Sequence, residues 1–216
     1  MVNVLLSLWN FGGEYLRSEL EKYIKPSDIV AIVSFAHKSD NEDEYELHYR
    51  LPGKHFLMPV LEFEKYGVSR TNILLLDYYM DSFDEMKAKI NKADIIMFTG
   101  GMPDKAVQRL KDRGIIDTIL SFDKVVMGYS AGAIMQLREC FLSPDHDYPE
   151  LIYMEGLPFV NDFYIEVHYE DSEEWKAILQ HIKSEKNMHI YAIGNYGAII
   201  VDEQRKVHLF GDVTTF

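Results

Sequence analysis

Lys124-Val125-Val126-Met127-Gly128-Tyr129-Ser130-Ala131-Gly132 is the stretch on which the fold turns. Its apolar run passes through a serine flanked by glycines into Ala131-Gly132-Ala133-Ile134-Met135-Gln136-Leu137, which reads as a strand handing over directly to a helix. Such a turn is so sharp that the side chains beside the serine must be small, and Ala131, Gly132 and Ala133 meet that demand. Ser130 is then left exposed at the end of a strand, in the manner of a nucleophile elbow. The first free N–H groups of the helix would point at any negative charge formed beside it. A purely structural glycine turn would carry the same pattern, so the surroundings decide.

Outward from this point, strand-like and helix-like runs alternate. Strands are expected over 2–8, 28–35, 72–76, 94–99 and 124–128, and helices over 13–23, 55–66, 82–91 and 103–113, with Pro103 suited to a first helical turn. The runs Ile29-Val30-Ala31-Ile32-Val33 and Ile95-Ile96-Met97-Phe98 are continuously apolar rather than alternating, as parallel strands covered on both faces must be. The expectation is an α/β fold, a three-layer αβα sandwich with a mostly parallel central sheet. After the serine, further strands are expected over 163–169, 189–193, 197–201 and 207–210, with a helix over 172–184; the last two strands read as a hairpin turned at the polar loop 202–206. Residues 37–54, acidic around Asp40-Asn41-Glu42-Asp43-Glu44, read as an exposed insertion.

The 216 residues, 47% hydrophobic, suit one domain over 1–216 with a full core. Asp and Glu number 35 against 22 Lys and Arg, and the charge of -13 argues against nucleic acid or an anionic membrane as partner. A small peptide or related small molecule is the expected substrate, for a monomer or homodimer. The single cysteine, Cys140, reads as a small buried apolar residue, and its isolation fits a reducing compartment. The start Met1-Val2-Asn3-Val4-Leu5-Leu6 reads as a strand rather than a leader peptide, and the expected location is cytoplasmic.

A serine hydroxyl is a weak nucleophile, so it needs a base, a group that orients the base, and donors for an oxyanion. Gly100-Gly101 closes the strand one βα unit earlier, which brings the N–H groups of Gly101 and Ala131 into consideration as the oxyanion hole. Eight histidines compete as base. His168 is the best placed, because alternation along Phe163-Tyr164-Ile165-Glu166-Val167-His168-Tyr169 puts Glu166 and His168 on one face, at a strand end. His37, His48, His181 and His208 read as solvated, Asp145-His146-Asp147 as a polar loop rather than a metal site, and Arg109 as part of a solvated helix face. An esterase with His189 or His208 as its base, and a binding protein without catalysis, are the competing readings.

Thr99-Gly100-Gly101, Gly128-Tyr129-Ser130-Ala131-Gly132 and Val167-His168-Tyr169, in that order and spacing, resemble the aspartyl dipeptidase (peptidase E) and cyanophycinase family of serine peptidases. The resemblance covers nearly the whole chain. It implies a fold like the class I glutamine amidotransferases, Ser130 as nucleophile, His168 as base, an acid on a later strand, and no metal or organic cofactor. It also sets Gly100, Met102, Tyr129 and Tyr169 beside the substrate. Two departures stand out. Met102 replaces a usually polar residue after the double glycine, and the position expected for the acid falls at Asn195. Asn195 can still accept the Nδ1–H bond without adding charge; Glu166 is the alternative, or the triad lacks its third member. The run Tyr169-Glu170-Asp171-Ser172-Glu173-Glu174 has no arginine with which to hold an aspartyl substrate.

Overall fold

The computed structural model describes residues 1–216. Its elements in chain order are β1 (Val2–Leu6), α1 (Glu14–Leu20), β2 (Val30–Val33), α2 (Glu42–Tyr49), α3 (Lys54–Glu64), β3 (Ile73–Leu76), α4 (Phe83–Lys92), β4 (Ile95–Phe98), α5 (Pro103–Asp112), α6 (Ile116–Leu120), β5 (Val125–Tyr129), α7 (Ala131–Ile134), β6 (Glu139–Leu142), β7 (Ile152–Glu155), β8 (Tyr164–Val167), α8 (Glu173–Lys186), β9 (Ile190–Val201) and β10 (Val207–Thr215).

The main sheet runs β10-β9-β1-β5-β4-β2-β3, with β8 paired to β9. From β1 through β3 every neighbour is parallel, while β9 runs antiparallel to β1 and β10. β9 is one strand of 12 residues where two short ones were expected. Its first half pairs with β8, from Tyr164↔Ile190 to Val167↔Ile193, and its second half with β1, from Leu6↔Ala198 to Asn3↔Val201. That length carries Asn195 to the point where the chain passes from one partner to the other.

Two apolar clusters fill the space on either face of the sheet. Leu16 and Leu20 of α1 and Phe56, Val60 and Phe63 of α3 pack with Val4, Ile32, Met97 and Met127. Met86, Ile90, Val107, Leu110, Leu179 and Ile182 of α4, α5 and α8 pack with Leu5, Ala31, Ile96 and Val126. Successive strand residues therefore enter opposite cores, which is why the parallel strands are apolar throughout. Ser82 caps α4 through a reciprocal box with Glu85, and Pro103 stands at the start of α5 as its fixed φ favours.

Several expectations are corrected. The helix after Ser130 ends at Ile134 instead of continuing to 137, because Leu137 bridges to Val160 and the Arg138 N–H donates to the Val160 carbonyl. Gln136 is buried there, its amide nitrogen donating to the Gly132 carbonyl at 3.1 Å and its oxygen accepting from Asn3. The acidic insertion contains α2, and His37 within it is buried rather than solvated. Arg109, expected on a solvated face, is also buried: its Nη1 donates to the carbonyls of Phe35 and His37 at 2.7 and 2.6 Å, and Nη2 reaches Asp40. The arginine is thus the internal support of the loop that follows β2. Cys140 is buried as expected, and burial pushes its thiol up to about 12. No helix is long and apolar enough to cross a membrane.

Candidate active site

The C-terminal ends of β1, β4, β5 and β8 converge at one edge of the sheet, where open α/β sheets place their sites. Each end contributes a residue. β5 delivers Ser130, at φ 52° and ψ -122°, a conformation costly for a residue with a Cβ. The strand–helix crossing maintains it: the Ser130 N–H donates to the Leu6 carbonyl at 2.9 Å, and the Ser130 carbonyl accepts from Ala133 and Ile134. The flanking glycines are required by space. A Cβ on Gly128 would lie 2.0 Å from the Gly132 carbonyl oxygen, and one on Gly132 would lie 2.3 Å from that of Phe98. The three chain segments touch backbone to backbone.

His168 follows β8 at φ 56° and is exposed. Its Nε2 is 2.9 Å from Ser130 Oγ, and its Nδ1 is 3.3 Å from both Asn195 Oδ1 and Ser7 Oγ. An Nδ1–H shared between these two oxygens leaves Nε2 unprotonated toward the serine, the tautomer that can accept its proton. Ser7, fully buried at the end of β1, also accepts the His168 N–H at 2.7 Å and so fixes the left-handed turn. Sequence reading missed Ser7. Its only signal there is a hydroxyl ending an apolar strand, and nothing local connects it to a histidine 161 residues away.

Glu166 lines the same cleft as His168 but does not pair with it. Glu166 is buried and bonds to the Ser143 hydroxyl and, through Oε1, to the Val167 N–H at 3.1 Å, with no contact to the imidazole. Asn195, not Glu166, meets the imidazole of His168. Burial pushes the Glu166 carboxyl up to about 8, and Asp145 adds to the rise.

Ser130, His168, Gly101, Ala131, Ile134, Asp145, Tyr148, Glu166 and Trp175 are among the residues that line a cleft of about 240 Å³. Gly101 has φ 136°, and a Cβ there would lie 2.0 Å from the Ala36 carbonyl oxygen. Ala131 opens α7, so its N–H has no acceptor within the helix. Gly100, Met102, Tyr129 and Tyr169, expected beside the substrate, do not line this cleft. Tyr129 is buried beneath it with its hydroxyl 3.1 Å from His55 Nδ1. Gly100 makes room for that ring, which a Cβ would approach to 2.7 Å. Tyr169 is buried against Phe216, and the Met102 N–H donates to the Ala36 carbonyl.

Gly101 also borders a second cleft, of about 290 Å³, lined by His37, Tyr45, Tyr49 and His55 among others. The rings of Tyr45, Tyr49 and His55 stack in series at centroid separations of 5.5 and 4.5 Å. Burial pushes both His37 and His55 down to about 4. The remaining histidines do not meet Ser130: His208 binds Asp202 at 2.8 Å, His48, His181 and His146 are exposed, and His189 precedes β9 at the end opposite the site. An esterase using His189 or His208 is thereby excluded. No group of three or more His, Cys, Asp or Glu side chains is arranged to hold a metal ion.

Comparison with known proteins finds similar chains among peptidases. The family model for peptidase family S51 matches residues 61–209. The uncharacterized peptidase Lin0382 of Listeria innocua serovar 6a is 29% identical over 144 residues, 62% of this chain and 68% of its own. Among solved structures, a Listeria monocytogenes EGD-e protein provisionally named peptidase E superposes with a TM-score of 0.68 at 24% identity, over 96% of each chain. A peptidase from an acI-B1 actinobacterium superposes with a TM-score of 0.69 at 15% identity, over 98% of this chain and 87% of its own.

Proposed function

The chain belongs to peptidase family S51 and has the class I glutamine amidotransferase-like fold; from that premise we propose that it hydrolyses short peptides through Ser130. The observation that carries the reading is the 2.9 Å separation of Ser130 Oγ and His168 Nε2 at the edge of a parallel sheet, within productive reach for proton transfer. On this reading the strained turn at Ser130 is a nucleophile elbow.

His168 Nε2 takes the hydroxyl proton as Ser130 Oγ attacks the scissile carbonyl. The carbonyl oxygen becomes an oxyanion, met by the N–H groups of Gly101 and Ala131. His168 then returns the proton to the leaving amine, and a water deprotonated by the same imidazole releases the acyl group. Asn195 and Ser7 hold the productive tautomer. Neither offers the negative charge that a carboxylate would set against the imidazolium, so this triad is geometrically complete and electrostatically weak.

The test is hydrolysis of a dipeptide library by purified wild type and Ser130→Ala, followed by mass spectrometry. The reading requires cleavage by the wild type and its loss in the variant. A wild type that binds peptides, cleaves none and resists a fluorophosphonate probe would instead establish a binding homologue.

A further inference from the structure

Building on the assignment of Ser130 as nucleophile, we propose that the cleft beside it selects a substrate residue with a cationic side chain, ammonium or guanidinium, on the acyl side of the scissile bond.

The inner lining of the cleft is built for positive charge. Glu166 is 94% buried by accessible surface, being 6% exposed, yet it borders the same space as Ser130 and Ala131. Its neighbour there is a second carboxylate, Asp145, whose Oδ1 is occupied by the N–H groups of Asp147 and Tyr148, both at 2.7 Å. Trp175 and Tyr148 supply aromatic surface in the same cleft, of the kind that attracts a desolvated cation. No lysine or arginine lines it. The nearby basic groups are engaged elsewhere: Lys38 with Asp147, Lys105 with the Lys38 carbonyl, and Lys176 with Asp171 and Glu173.

Burial in this cleft penalises the ionised form of the Glu166 carboxyl, and the neighbouring Asp145 adds to the penalty. A bound cation reverses both penalties, whereas an aspartyl side chain would add a third carboxylate to the same space. The orientation follows from the position of the base. His168 is at the exposed rim and must protonate the leaving amine there, so the acyl residue is the one directed inward toward Glu166. The volume of about 240 Å³ falls below the range of about 300–1,000 Å³ typical of pockets for drug-sized ligands, and so matches one residue.

The experiment compares kcat/KM for coumarin amides of lysine, norleucine and aspartate, each with free and with acetylated α-amine. Lysine is expected to exceed norleucine by at least about tenfold, the equivalent of about 1.4 kcal/mol, with aspartate slowest. The preference for lysine is expected to survive acetylation of the α-amine, because lysine and norleucine carry the same α-ammonium and differ only at the end of the side chain. Glu166→Gln should bring the ratio of lysine to norleucine kcat/KM down to about one, and Asp145→Asn, in an exposed loop, should reduce that ratio. Norleucine equal to or faster than lysine, or an unchanged preference in Glu166→Gln, would overturn the proposal. Should no substrate be turned over, calorimetric titration of Ser130→Ala with lysinamide and norleucinamide decides separately from catalysis. Tighter lysinamide supports cation recognition even if Ser130 proves inert, and equal binding refutes it.

Discussion

The two clefts that meet at Gly101 bury ionisable side chains to opposite effect. On the Ser130 side burial raises the Glu166 carboxyl to about 8; on the other it lowers the imidazoles of His37 and His55 to about 4. Both shifts favour the neutral form, because a charge withdrawn from water is penalised whatever its sign. What differs is the wall. Rings stack around His55, and its Nδ1 meets the Tyr129 hydroxyl, so that imidazole is a packing element. His168 is exposed, aimed at Ser130, and held by oxygens at Nδ1. Orientation and access, not membership of a cluster, set His168 apart from His55 and are what the proposed role of base requires.

The sharpest way to break this contrast is to remove each imidazole in turn. His168→Ala should lower kcat/KM by about 10²–10⁴, whereas His55→Phe keeps the stack and should leave turnover close to wild type. Comparable losses in both would erase the distinction.

A second test addresses the backbone crossing behind Ser130. In Gly132→Ala the new methyl would lie 2.3 Å from the Phe98 carbonyl oxygen, which belongs to a core strand and cannot yield. The expected cost is at least about 3 kcal/mol in urea unfolding, the upper range for single substitutions. A near-neutral change would show that the crossing tolerates a Cβ.

Asn195 offers a finer probe. Asn195→Ala removes one of two acceptors at Nδ1 while Ser7 remains, so kcat should fall on the order of tenfold, short of the roughly 10⁴ that follows a wrong tautomer. Asn195→Asp supplies the missing charge and should raise kcat above wild type. Unchanged rates in both would assign tautomer control to Ser7 alone.

The smallest effect is on stability against pH. Between about pH 4 and the ordinary histidine value of 6.5, unfolded chains bind protons that folded His37 and His55 refuse, so stability declines as pH falls through that window. Glu166 acts in reverse. From its ordinary value of 4.5 up to about 8, the folded carboxyl retains a proton that the unfolded chain has released, so stability declines as pH rises. Melting temperatures across pH 4–8 should show Glu166→Gln flattening the alkaline fall and His55→Phe the acid one.

The parallel sheet was legible because its strands are apolar on both faces, and Ser130 because close backbone crossings admit only glycine at 128 and 132. His168 was legible by order in the chain. Its orientation was not, since the left-handed turn at His168 is tied to Ser7 at the far end of the sequence. Arg109 and His37 were misjudged for the same reason: the carbonyls of Phe35 and His37 that accept from Arg109 come together only when the loop after β2 folds over α5. Of the four positions expected to flank substrate, Tyr129 turns inward to His55 and Tyr169 packs against Phe216. Local pattern marks chemistry that lies on one strand end, and it is silent where distant segments must meet.

The most direct measurement is the rate of fluorophosphonate labelling at Ser130, located by peptide mass spectrometry, in wild type and His168→Ala at neutral pH. The account predicts rapid labelling at Ser130 in the wild type and a fall of about a hundredfold or more without the imidazole. Equal rates in the two proteins, or labelling at a different residue, would contradict it.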